Sequence, residues 1–327
     1  MALLDLPLSE LRAYQPDVRE PADFDDFWAT TLAQARAIGG EVVLGDTLRL
    51  SGVEVTDVTF PGFGGHPIRA WYARPTGAAE PLPCIVEVSG YGGSRGLAIE
   101  HTLWPSAGYA YLFMDTRGQG SAWGSGGDTA DPVGGGPSSP GFMTRGIESP
   151  QEYYYRRVFT DAVRAVDAVR GLEGVDPTRV VFKGGSQGGA ITLAAAGLVP
   201  DLMAVMPDVP FMCYFQRSLE LVDTMPYAEI TMYLSVHRDR DEQALNTLSY
   251  FDGVNFAKRA NAPSLWSVAL MDDICPPSTG FAAYNWYGNH GSADVAKRIE
   301  IYPYNGHEGG QMHQTAKQID FVAEILR

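Results

Sequence analysis

The chain has 327 residues, 45% of them hydrophobic and 19% charged, an ordinary globular composition that excludes a largely disordered polypeptide. A formal net charge of −15 and a pI near 4.7 argue against nucleic acid and anionic membranes as partners, because both repel a negative surface, and favour a neutral substrate. No apolar run is long enough to span a bilayer.

The N-terminal residues carry Asp5 and Glu10 inside a short apolar run with no basic segment before it, so they do not read as a signal peptide. Residues 1–50 read as a helical segment, with Phe24, Phe27 and Trp28 at helical spacing and Gly39-Gly40 ending that run. From Val53 the pattern becomes that of strands: Val53 to Phe60, then Ile68 to Ala73 across the Pro61–Gly65 turn. Cys84 to Val88 and Tyr109 to Met114 are continuous apolar runs, the mark of strands covered on both faces of a mostly parallel sheet. Gly118 to Gly146 is a long loop rich in Gly, Ser and Pro, and such a loop inside a compact domain is expected to be functional or pinned.

Tyr153 to Leu172 reads as an amphipathic helix with Val158, Ala162, Ala165, Val166 and Val169 on one stripe. A strand at Arg179–Lys183, a helix at Ala190–Val199 and a strand starting at Met203 follow. Residues from about 211 to 256 break this alternation, with helices around Phe215–Met225 and Glu242–Tyr250 that suggest an inserted cap. Alternation resumes with a strand at Ser264–Leu270, a helix near Thr279–Tyr287, a strand at Arg298–Tyr302 and a last helix from Met312 to Leu326. The whole reads as one α/β domain over 1–327. Three cysteines, Cys84, Cys213 and Cys275, are too few and too oddly spaced for a disulfide framework or a zinc site; they read as buried small hydrophobes in a reduced, cytoplasmic protein.

Gly184-x-Ser186-x-Gly188 lies between a predicted strand and a predicted helix, the context that makes this pattern a nucleophile elbow. A tight turn forces the serine into strained backbone geometry where neighbouring side chains would clash, and the following helix aims its free N–H groups at a developing oxyanion. A serine hydroxyl needs a base beside it, and in the α/β-hydrolase fold the partners follow in the order Ser, Asp or Glu, His. His66 and His101 precede the serine. His237 lies in a charged run, His290 in a polar turn and His313 inside the start of the last helix. His307, between the last strand and the last helix, is the expected base. The acid is expected after the Ser264–Leu270 strand, where Asp272 and Asp273 compete and Asp272 is nearer the strand end; Asp208 is an outside candidate. The two oxyanion donors are expected at the N–H groups of Gln187 and Tyr91.

These motifs resemble the acetyl xylan esterase/cephalosporin C deacetylase family (carbohydrate esterase family 7), in Arg117-Gly-Gln-Gly120, Gly184-Gly-Ser-Gln-Gly-Gly189 and His307-Glu308. Supporting stretches are Pro140–Ile147, Tyr153–Asp161, Asp208–Phe211 and Pro276–Thr279. The resemblance spans essentially the whole chain. It implies an α/β-hydrolase core, the triad Ser186, Asp272 and His307, with the family register selecting Asp272, and an oxyanion hole at Tyr91 and Gln187. It also implies an acetyl-serine mechanism needing no metal or cofactor, acting on acetylated xylo-oligosaccharides, other sugar acetates and cephalosporin C, in a cytoplasmic hexamer with active sites facing an internal cavity. Arg117 is read as structural, tying the long loop to the core. Ser89-Gly90-Tyr91 replaces the family's usual His-Gly-Tyr, and Trp123–Ser139 is unusually rich in glycine; both bear on substrate preference. The rival readings are an acyltransferase or peptidase on the same fold and a non-catalytic binding protein.

Overall fold

The computed structural model describes residues 5–133, 141–291 and 294–327. Residues 134–140, part of the expected long loop and including Pro140, therefore lie outside the described residues.

Two helices open the chain, α1 (Leu8–Leu11) and α2 (Phe24–Ile38). The helical expectation for residues 1–50 fails after that point, because Val43–Arg49 is a strand, β1. Gly39 and Gly40, both at positive φ, end α2, and the backbone beyond them finds its hydrogen-bond partners along β2 (Val53–Pro61) rather than within a further helical turn. β1 reads poorly as a strand because it is an exposed edge, with Val43 and Leu44 more than half exposed.

β3 (Pro67–Pro75), β4 (Leu82–Val88), the short helix α3 (Leu103–Ser106) and β5 (Ala110–Met114) follow, then α4 (Tyr154–Val169), β6 (Val175–Gly185), α5 (Gln187–Leu198) and β7 (Ala204–Asp208). Four helices occupy the segment expected to form a cap: α6 (Phe215–Leu221), α7 (Ala228–Val236), α8 (Asp241–Ser249) and α9 (Gly253–Arg259). The last of these lies in the main core, where Val254, Phe256 and Ala257 are fully buried. β8 (Ser264–Ala269), α10 (Pro277–Trp286), β9 (Lys297–Tyr302) and α11 (Gln311–Ile325) complete the chain.

The described strands form one nine-stranded sheet in the order β1-β2-β3-β5-β4-β6-β7-β8-β9. β1, β2, β3 and β5 pair antiparallel, and every pair from β5 through β9 is parallel. Covering both faces explains the unbroken apolar runs: Cys84, Val86 and Val88 face α4 and α5, while Ile85 faces Trp104 of α3 and Phe321 and Val322 of α11. The carboxyl ends of the parallel strands thus open at one edge, where ligands bind in such sheets.

The Gly-rich loop is pinned there by buried charge. Arg117, with no exposed surface, donates through Nε and Nη2 to Asp161 of α4 at 2.6 and 2.8 Å. Its Nη1 reaches Asp131 at 3.3 Å, and Asp131 also accepts from Arg157 at 2.8 Å. Arg117 is thus the tie between loop and core. Removing one partner of a buried pair leaves an uncompensated charge. Arg117→Ala is accordingly expected to lower stability by about 3–5 kcal/mol, read from the urea unfolding midpoint.

Candidate active site

Ser186 follows β6 and precedes α5 at φ 58° and ψ −119°, a conformation that costs a residue with a side chain on the order of 1–3 kcal/mol unless its surroundings enforce it. They do so through hydrogen bonds: the Ser186 N–H donates to the Asp208 carbonyl at 2.9 Å, and the Ser186 carbonyl accepts from the Phe211 N–H at 3.0 Å. The turn is also closed sterically. A Cβ on Gly184 would stand 2.5 Å from the Gly188 carbonyl, and one on Gly188 would stand 2.5 Å from the Val88 oxygen of β4. Backbone touches backbone here, which glycine alone permits.

His307 sits on the loop from β9 to α11. Its Nε2 lies 2.9 Å from Ser186 Oγ, and its Nδ1 lies 2.9 and 3.1 Å from the two Asp272 oxygens. Asp272 is 1% exposed; its Oδ1 also accepts from the Ile274 and Cys275 N–H groups at 2.9 and 2.8 Å. The carboxylate is therefore held before it meets the imidazole. The other candidates go elsewhere. Asp273 is exposed, and Asp208 accepts from Ser267 Oγ at 2.8 Å and Gln318 Nε2 at 2.7 Å. His66 meets Arg117 at 3.1 Å and His101 meets the Arg95 carbonyl at 2.6 Å. His237 stacks on Tyr233, and His290 and His313 are exposed.

Tyr91 follows β4 and lines the same cavity as Ser186, and Gln187, the first residue of α5, is the next residue after Ser186. Among the described residues, neither backbone N–H meets an acceptor within the protein. A strained serine, an imidazole, a buried carboxylate and two free N–H groups at the carboxyl edge of a sheet form an arrangement suited to acyl transfer.

The acetyl xylan esterase (AXE1) family model matches residues 1–325. The chain belongs to the acetyl xylan esterase family. Among solved structures, an acetyl xylan esterase from Paenibacillus sp. R4 aligns at 38% identity and TM-score 0.89, covering 98% of this chain and 99% of its own. Acetyl xylan esterase 1 from Thermoanaerobacterium sp. JW/SL YS485 aligns at 31% identity and TM-score 0.88, over 99% of this chain and 100% of its own. Acetyl esterase Axe7A of Xylanibacter ruminicola is 26% identical over 279 residues, and this chain spans 61% of its length. A Pyrococcus horikoshii acylaminoacyl peptidase, at 18% identity and TM-score 0.59 over 84% of this chain and 40% of its own, shares the fold alone.

This member of the family ties the loop after β4 in place with residues that sequence reading passed over. Gln119, in the Arg117–Gly120 motif, accepts from the Gly92 N–H at 2.8 Å and donates to Tyr154 Oη and Gln187 Oε1 at 3.1 and 2.8 Å. It couples the Gly-rich loop to both segments that carry the free N–H groups. Glu229, 2% exposed on α7, accepts from Tyr91 Oη at 2.5 Å and from the Met143 N–H at 2.9 Å. Burial, with Glu229 close by, pushes the Tyr91 phenol well above its ordinary range. The available signal is faint: one carboxylate in a mostly apolar stretch, Ala228–Val236.

Asp272, Cys275 and His307 bring potential metal-ligand atoms within 4.8 Å of one another, but their chemistry suits hydrogen bonding. The Asp272 oxygens already hold two N–H groups and the imidazole, and burial pushes the Cys275 thiol well up, away from the thiolate that a metal requires. All three cysteines are free and buried, and among the described residues no helix is long and apolar enough to cross a membrane.

Gly188→Ala tests the close approach. Its Cβ would push α5 from β4 and carry Ser186 away from His307. Loss of Ser186 labelling by a fluorophosphonate, with a stability loss of about 1–3 kcal/mol, is expected. Gly171→Ala, whose Cβ would meet its nearest neighbour at 3.5 Å, serves as the control.

Proposed function

We propose that the chain is a serine esterase that removes acetyl groups from small acetylated carbohydrates, through an acetyl-serine intermediate. One observation carries this reading: Ser186 Oγ lies 2.9 Å from His307 Nε2, whose other nitrogen faces buried Asp272. His307 takes the Ser186 proton as the oxygen attacks the acetyl carbonyl. Asp272 holds the ring with Nδ1 protonated, so that Nε2 is free to accept, and stabilises the imidazolium that forms. The Tyr91 and Gln187 N–H groups receive the oxyanion. The alcohol departs with the proton from His307, and water attacks the acetyl-enzyme by the same route.

Family membership and the solved relatives support the acetyl group and a xylan-derived alcohol; the sequence resemblance alone supports cephalosporin C as a further substrate. It also supports a cytoplasmic hexamer, and light scattering on the purified protein, read in multiples of 35.4 kDa, checks the assembly.

Ser186→Ala is expected to lower kcat/KM for 4-nitrophenyl acetate by at least about 10⁴-fold with an unchanged melting curve. Equal rates in the two proteins would remove the catalytic assignment. Across 4-nitrophenyl esters, acetyl is expected to turn over faster than octanoyl.

A further inference from the structure

The cavity at Ser186 has a volume of about 960 Å³, far more than an acetyl group fills. We infer that its larger part, running from Ser186 along one face of the sheet, is a subsite for a polyhydroxylated alcohol, with Glu87, Lys183, Asp208 and Ser267 as its floor. This inference rests on the esterase reading and names the part of the substrate that the site selects.

The observation is a change of polarity on one face of four neighbouring strands, stepped by two residues between β6 and β7, where Lys183 pairs with Met206 and Asp208 with Gly185. Ile85, Val181, Met206 and Leu265 are buried there in an apolar cluster with Phe321 and Val322 of α11. Two residues further along each strand, and hence on the same side of the pleat, stand Glu87 on β4, Lys183 on β6, Asp208 on β7 and Ser267 on β8. Glu87 is paired with Lys183 in register, and Asp208 with Ser267. All four line the cavity, with Gly185 between Lys183 and Ser186, and Gln314 and Thr315 of α11 also border it. A sheet face that only needed covering would continue the apolar cluster, because a buried ion pair adds little or nothing over apolar residues of similar volume.

These groups are held in place but not saturated. Lys183 Nζ donates to Glu87 Oε1 at 3.0 Å, and Glu87 Oε2 accepts from Tyr111 Oη at 2.9 Å. Asp208 accepts one bond on each oxygen, from Ser267 and from Gln318. A carboxylate has about four acceptor positions and an ammonium has three protons. Each carboxylate therefore keeps acceptor capacity, and Lys183 keeps donors. Hydroxyl groups, each both donor and acceptor, match that surplus. A long acyl chain does not: it would strip water from two carboxylates and an ammonium and return no hydrogen bond.

The test compares two acetates of different alcohol: 4-nitrophenyl acetate, whose leaving group has no hydroxyl, and acetylated xylobiose. Two variants alter the floor in different ways. Glu87→Gln keeps the size but removes the charge, and Thr315→Trp fills the compartment from half-buried α11 surface. The readout is the ratio of kcat/KM for the sugar ester to that for the phenyl ester. Both variants are expected to lower this ratio by about tenfold, the equivalent of one hydrogen bond to a charged group, mostly through KM of the sugar ester. If Glu87→Gln fails to fold, Thr315→Trp decides alone. A ratio that stays at the wild-type value, or losses equal for both esters, overturns the subsite. A wild-type enzyme that cleaves 4-nitrophenyl acetate but not acetylated xylobiose also overturns it and leaves the esterase reading standing. Cleavage of neither ester ends both.

Discussion

The contact between the backbones of β4 and α5 governs this site. Gly188 stands so close to the Val88 carbonyl that a single methyl group cannot fit between them. That approach, together with the bond to the Asp208 carbonyl and the bond from the Phe211 N–H, is what holds Ser186 at a positive φ and lifts its hydroxyl from the sheet edge. The same approach places the first turn of α5 beside the loop after β4. The free N–H groups of Tyr91 and Gln187 therefore belong to the two segments beside Ser186.

Around that contact the chain has arranged polar support in layers. Asp272 is fixed by two N–H groups of its own loop before it orients His307. Gln119 reaches from the Gly-rich loop to Gly92 and Gln187, and Glu229 reaches from α7 to Tyr91. Arg117 anchors the Gly-rich loop in turn, through Asp161 and Asp131. A buried polar network of this kind holds its geometry because each unpartnered member would cost more than the bond it makes. The loops around Ser186 are thus tied to one another, while the cavity opens beside it.

Much of this was legible along the chain. The elbow was, because its glycines and serine are consecutive and lie between a strand and a helix. His307 followed from its place between the last strand and the last helix. Asp272 and Asp273 could not be separated by residue type, since both follow β8. What distinguishes them is that one side chain turns inward onto N–H groups and the other faces solvent. The strand at Val43–Arg49 was missed because an exposed edge strand lacks the apolar alternation that burial imposes. Helices α7 and α9 were missed because they are short and irregular in pattern, and their stability comes from what they pack against.

By itself, then, the sequence determined what depends on neighbours in the chain: the alternation of strands and helices, the strand-turn-helix around Ser186, and the chain order of Ser186, Asp272 and His307. These are set by local sterics and by periodic burial, both of which leave a mark within a few residues. The tertiary structure decided which distant groups meet. Ser186 and His307 are 121 residues apart along the chain and 2.9 Å apart in space; Tyr91 and Glu229 are separated by 138 residues and joined at 2.5 Å. The polar pairs Glu87 with Lys183 and Asp208 with Ser267 share one sheet face only once four strands lie side by side. Hydrogen bonding and sheet register act across space, so no window of sequence contains them.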